Sequence, residues 1–161
     1  MTKPAKPTKP TKGAVPAPAP ALWAGLPLYS TVVVDTAPFI YILESNPQFA
    51  DQFTGLFEAA AAGKISIALS TITLAEVLTG PFKAGQTALA KRYEKALSGY
   101  TLVSVTPPIA ALAAQLRAQY RLKLPDAIQL ATALDAGAAA FVTHDRDFSQ
   151  VTGIAILTGD A

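Results

Sequence analysis

The strongest constraint on how this chain folds is an alternation. Short apolar runs, LYSTVVV, KISIALS, YTLVSV, AAAFVT and IAIL, are divided by segments with helical spacing and helix-stopping residues. Strands that alternate with helices pair in parallel, because a parallel crossover needs roughly a dozen residues and is usually a helix. LYSTVVV carries no charge, as expected of a strand covered on both faces. The expected fold is therefore α/β, a five-stranded, mostly parallel sheet with helices on both sides.

Helices are expected at Pro38 to Leu43 and Pro47 to Ala62, the second closed by Gly63. STITLAEVLTGP reads as a short helix stopped by Gly80-Pro81, and QTALAKRYEKAL as a longer one ending before Gly99. Pro108 to Arg121 and Pro125 to Ala136 supply two more, the last closed by Gly137.

The leading segment, MTKPAKPTKPTKGAVPAPAPA, offers almost nothing to bury, so residues 1–27 are expected to form an extended Lys/Pro/Ala-rich arm and residues 28–161 the folded domain. Its prolines also interrupt any apolar stretch of the length a secretory signal needs. Four of the 13 basic residues, Lys3, Lys6, Lys9 and Lys12, sit in this arm. Nine then face 11 acidic residues elsewhere, about −2 for the rest of the chain.

At 51% hydrophobic, 161 residues can bury one substantial core. No apolar run approaches the roughly 20 residues that cross a bilayer. With no cysteine, disulfides and thiolate metal sites are excluded, leaving oxygen ligands and the lone His144. A reducing cytoplasm is the expected compartment.

Four acids stand where such a fold aims groups at one edge. Asp35 follows VVV directly, and Asp145 follows FVT with one residue between. Functional groups in open parallel sheets collect beyond the carboxyl ends of strands, where crossovers depart to opposite faces. Glu76 lies in the helix after KISIALS and Asp126 in the first turn of its own helix. Gathered carboxylates repel one another, and a hard divalent cation neutralises them.

Each acid also has a structural role open to it. Asp35 suits an N-cap, and Glu76, three residues after Thr73, suits a capping box unless the helix starts at Ser70 or Thr71. Asp126 complements a helix dipole, and Asp145 and Asp147 suit a surface turn. His144 reads as a polar loop residue, having no His or Cys partner.

Taken together, Asp35-Thr36 at a strand end, Glu76 within Thr73 to Leu78, Asp126 to Ala133 as D-A-x-x-x-A-T-A, and Thr143 to Phe148 as T-x-D-x-D-F resemble the PIN-domain family, in particular the VapC-type toxin ribonucleases. The match runs from about Val32 to Leu157. It implies a three-layer α/β/α sandwich and Mg²⁺- or Mn²⁺-dependent cleavage of RNA by a toxin of a type II toxin–antitoxin pair. Asp35, Asp126 and Asp145 are then the metal-binding residues, with Glu76 a further ligand or the group that orients the attacking water. Thr36 and Thr143 would hold neighbouring carboxylates, and Asp147 is the alternative to Asp145.

RNA would approach over cations nearby, for which Arg117, Arg121 and Lys123, and also Lys91 and Arg92, are candidates; a solvated helix face explains each as well. The apolar segments PFIYIL and QFADQFTGLFEAAAA suggest a groove for an antitoxin helix, and a homodimer is a second partner left open. A non-catalytic partner-binding module, or a solitary PIN nuclease in RNA processing without an antitoxin, is the alternative function.

Overall fold

A computed structural model of the chain describes residues 23–159. The expected arm lies outside the described residues up to position 22. Trp23 and Leu26 already pack on the core upstream of Leu28, and the Lys64 ammonium lies 5.1 Å from the Trp23 ring centroid.

The sheet has five strands, all parallel, in the order β3-β2-β1-β4-β5: β1 Thr31–Val34, β2 Ser66–Ser70, β3 Thr101–Val103, β4 Ala140–Thr143 and β5 Ala155–Thr158. Val32 and Val34 of β1 join one core and Val33 the other, as the two-residue period of a strand requires. Helices α1 (Thr36–Leu43), α2 (Ala50–Ala61), α3 (Thr71–Lys83) and α4 (Thr87–Leu97) cover the first face, and α5 (Pro107–Tyr120) and α6 (Leu124–Asp135) the second. This is the three-layer sandwich expected. From β1 the chain steps outward through β2 to β3 on one side, while β4 returns to the other side of β1. The crevice where the order reverses therefore lies beyond Val34 and Thr143.

Several boundaries differ from expectation for local reasons. The first strand begins at Thr31 because Leu28 to Ser30 form a turn in which the Ser30 amide and hydroxyl both donate to the Pro27 carbonyl, and Tyr29 has φ +64°. α1 starts at Thr36, placing Pro38 in its first turn, where a missing N–H costs nothing. α2 starts at Ala50, because the Asn46 side chain accepts from the amides of Gln48 and Phe49 and holds Pro47 to Phe49 in a turn.

Gly80-Pro81 does not stop α3, which continues to Lys83. Gly80 presents no Cβ to the proline ring, the ring is buried, and the lost N–H falls near the helix end. Termination comes at Gly85, with φ +68°.

The apolar excess expected on PFIYIL and QFADQFTGLFEAAAA is largely consumed by the core. Phe39, Phe53 and Leu56 are buried, so Phe39 and Phe53 are packing residues and not contacts for a partner. Among the described residues no helix is long and apolar enough to cross a membrane.

Candidate active site

Asp35 leaves the end of β1, where its amide donates to the Val142 carbonyl of β4 at 2.8 Å. Its carboxylate does two jobs. One oxygen accepts from the Thr36 amide at 2.6 Å, capping α1, and the other accepts from the Thr143 hydroxyl at 2.6 Å. The cap that the sequence allowed is thus formed, and the carboxylate still lies at the carboxyl edge of the sheet. Thr143 in turn accepts from the Asp145 amide at 3.0 Å, which ties the ends of β1 and β4 together.

Glu76 is not part of a capping box. Ser70 caps α3 through the Ile72 amide, the helix begins at Thr71, and Glu76 is carried inside it. Glu76 Oε2 accepts from the Thr36 hydroxyl and, at 2.9 Å, from the Gln129 amide nitrogen. The same Gln129 nitrogen donates to the Thr36 hydroxyl oxygen at 3.2 Å, and Gln129 Oε1 accepts from the Thr73 hydroxyl at 2.9 Å. Gln129 and Thr73 are both 0% exposed. A buried amide is costly unless its polar atoms are paired, and here both the nitrogen and the oxygen have partners. Among the described residues the buried side-chain atom left without a partner is Gln52 Oε1, outside this network.

Asp126 sits in the first turn of α6, as expected, and is half-buried. Asp145 caps a 3-10 turn, Arg146–Gln150, by accepting from the Asp147 amide at 2.9 Å; Asp147 is exposed.

The electrostatics place these acids within reach of one another. Burial pushes the Asp35 carboxyl from 3.8 up to about 6; the bonds from Thr143 and Thr36 oppose the rise, and the charges of Asp126 and Glu76 add to it. Asp126 is also raised, first by burial and then by Asp145, Glu76 and Asp147, with Lys123 pulling the other way. Five carboxyl groups from four segments therefore share one field at the sheet's carboxyl edge.

Among the described residues no three His, Cys, Asp or Glu side chains are arranged to hold a metal ion by direct ligation. The donor chemistry nevertheless fits a hard cation that keeps much of its water shell. All donors are carboxylate oxygens, and Mg²⁺ is ordinarily bound through one or two carboxylates plus water. Burial first, and the neighbouring acids after it, raise the proton affinity of Asp35 and Asp126, and a bound cation would offset both effects.

The cations divide. Lys123 acts on Asp126 directly, and Arg121 lines a polar cleft of about 570 Å³ with Arg146, Tyr120 and Asp147. Arg117 is exposed in the last turn of α5, outside that lining. Lys91 and Arg92 lie on α4, where Arg92 acts on Tyr93 instead of on the acids.

Sequence reasoning missed Gln129 and Thr73. The available signal was a lone amide in the apolar stretch IQLATAL, three residues after Asp126 and so on the same face of α6. It also missed the setting of His144, whose Nδ1 lies 2.9 Å from the Tyr41 hydroxyl and whose ring sits 4.8 Å from Phe49 and 6.0 Å from Phe53.

The sequence matches the PIN domain over residues 32–154. Among solved structures, a toxin–antitoxin complex from Klebsiella pneumoniae contains a chain 32% identical, with a TM-score of 0.63 over 80% of this chain and 98% of that one. VapBC2 from Rickettsia felis, bound to a DNA fragment from their promoter, gives 19% identity and a TM-score of 0.67 over 80% and 98%. VapC20 from Mycobacterium tuberculosis, a sarcin–ricin loop cleaving toxin, gives 16% and 0.61 over 73% and 92%. At those identities the last two speak to the fold. Among curated proteins no sequence matches.

Proposed function

The chain belongs to the PIN-domain family, and from that premise we propose that it is a metal-dependent ribonuclease, the toxin of a toxin–antitoxin pair. The observation that carries the reading is the gathering of Asp35, Glu76, Asp126, Asp145 and Asp147 in one field at the reversal point of the sheet.

Asp35, Asp126 and Asp145 would hold Mg²⁺ or Mn²⁺, directly or through water, with Asp147 the alternative to Asp145. When bound, such an ion lowers the pKa of water and offsets charge on a phosphate in transition. The remaining work falls to the chain. Thr143 and the Thr36 amide fix both Asp35 oxygens, so the carboxylate presents the same face without reorganising. Glu76 is held at one oxygen by Thr36 and Gln129, which leaves its other oxygen to orient an attacking water. Lys123, Arg121 and Arg146 offset the charge of an incoming phosphate near these acids.

The antitoxin is read from the Klebsiella relative together with a groove of about 450 Å³ between α1 and α2. Ile42, Phe57, Ala50 and Ala61 supply its apolar lining, and Asp51 and Glu58 its acidic rim. An amphipathic helix with basic flanks fits it. Exposed Phe82 at the end of α3 is one apolar side chain that a homodimer would cover.

The test is cleavage of a panel of tRNA and rRNA by purified protein with Mg²⁺, Mn²⁺ or EDTA, repeated with Asp35→Asn. Cleavage that needs the metal and disappears in the variant is the expected result; cleavage unaffected by EDTA would refute it.

A further inference from the structure

Beside the acids, on the side of β4 away from Arg121, lies an open cleft of about 580 Å³ lined by Ala37, Tyr41, Phe49, His144, Asp145 and Arg146. Its volume is within the range of small-molecule sites, roughly 300 to 1,000 Å³. Its walls are aromatic. Tyr41 and Phe49 lie 5.0 Å apart, and the His144 ring stands 4.8 Å from Phe49 and 5.4 Å from Tyr41. All three rings are only partly buried.

The cleft is continuous with the acidic site. Asp145 belongs to both, and Tyr41 is close enough to Asp35 to feel its charge. Arg146 also lines the polar cleft that holds Arg121, so one arginine joins an aromatic cleft to a polar one across the 3-10 turn.

We propose that the aromatic cleft is a nucleobase subsite, which receives the base of a nucleotide adjoining the phosphate held at the acids; this rests on the ribonuclease reading above. Aromatic faces stack on any base, and Arg adds a cation over the ring or a bond to its edge. The Tyr41 hydroxyl and His144 Nδ1 bond to each other at 2.9 Å, which fixes the two rings as one wall of the cleft. A neighbouring phosphate then falls to Arg146 and Arg121. A single-stranded segment with splayed bases fits; a duplex, with its bases stacked inside, does not.

The test uses the full-length chain, kept inactive by Asp35→Asn, with a single-stranded oligouridylate carrying 5-iodouridine. Irradiation is expected to attach it at Tyr41, Phe49 or His144, located by mass spectrometry of the digest. In parallel, the unsubstituted oligomer should bind roughly tenfold more tightly than an abasic ribose-phosphate chain of equal length. Phe49→Leu keeps apolar volume but removes the stacking face, and it should remove most of that difference while leaving abasic binding unchanged.

Crosslinks confined to other residues, or equal affinity for the two oligomers, would overturn the proposal and give the cleft to a polypeptide partner. If unsubstituted protein cleaves RNA yet the Asp35→Asn chain gives no crosslink in the cleft, the subsite fails and the nuclease reading stands. If it neither binds nor cleaves RNA, both fail.

Discussion

The two halves of the acidic site are built differently. In the inner half, Asp35 and Glu76 are held by Thr36, Thr143 and Gln129, with Thr73 behind Gln129, and every one of these bonds runs between side chains or to a helix cap. In the outer half, Asp126, Asp145 and Asp147 stand on the first turn of α6 and on a 3-10 turn. The bonds these acids make there are local, such as that from the Asp147 amide to Asp145. The inner half is preorganised and the outer half is adjustable. Among the described residues no three acids are set for direct ligation, and the outer carboxylates, which carry fewer side-chain bonds than the inner ones, are the ones that would adjust toward an ion.

The largest expected effect comes from breaking the inner half at its charge. Asp35→Asn should lower RNA cleavage at least roughly a hundredfold, with Asp126→Asn comparable, while circular dichroism shows the fold intact. Full activity in both variants would end the nuclease reading.

The same carboxyl makes the metal-free protein sensitive to pH. Its value of about 6 in the fold lies above the ordinary 3.8, so between those values the folded chain keeps a proton that the unfolded chain releases. The stability from this group is therefore full below about pH 4, declines as pH rises, and is lost above about pH 6. The difference is on the order of 3 kcal/mol. In EDTA, Asp35→Asn should remove this decline, making the variant the more stable protein at pH 7.5, and saturating Mg²⁺ should narrow the gap by stabilising the unsubstituted chain alone. Parallel denaturant titrations across pH 4.5 to 8 measure it. Identical profiles would show that burial does not raise the Asp35 carboxyl in the folded chain.

Gln129→Ala tests whether the inner half is held by its amide. It leaves the buried Thr73 hydroxyl without its acceptor, removes one of the two donors to Glu76 Oε2 and opens a small cavity, so stability should fall by about 2 to 3 kcal/mol. Cleavage should fall by roughly tenfold as Glu76 loses its orientation. A stable variant with full activity would show that Thr36 alone suffices to hold Glu76.

What the sequence made legible follows the same division. VVV at 32–34 announced the central strand because a charge-free run is the signature of two covered faces, and the acids at 35 and 145 were visible because strand ends are. Gln129 was not, since its partners are 56, 53 and 93 positions away and only tertiary contact reveals that an amide in a helix faces inward. The Tyr41–His144 pair, 103 positions apart, was hidden for the same reason. The passage of α3 through Pro81 was hidden by a local rule that holds for most prolines and fails here because Gly80 precedes it and the helix is about to end.

The smallest effect should separate the two acids of the outer turn. Asp145 lies two residues past the end of β4, its amide is held by Thr143, and Thr143 also holds Asp35, so its position is referred to the inner half through one hydroxyl. Asp147 has no such reference, and its side chain is exposed at the far side of the turn. Asp147→Asn should therefore lower cleavage only a few-fold, on the order expected for losing one screened charge near the site. Asp145→Asn should approach the loss seen at Asp35, because an amide cannot supply the charge that the ion requires. Measured side by side at saturating metal, a larger loss at Asp147 would reverse the assignment. It would also mean that the turn rearranges on binding, which would make the outer half more mobile than its backbone bonds imply.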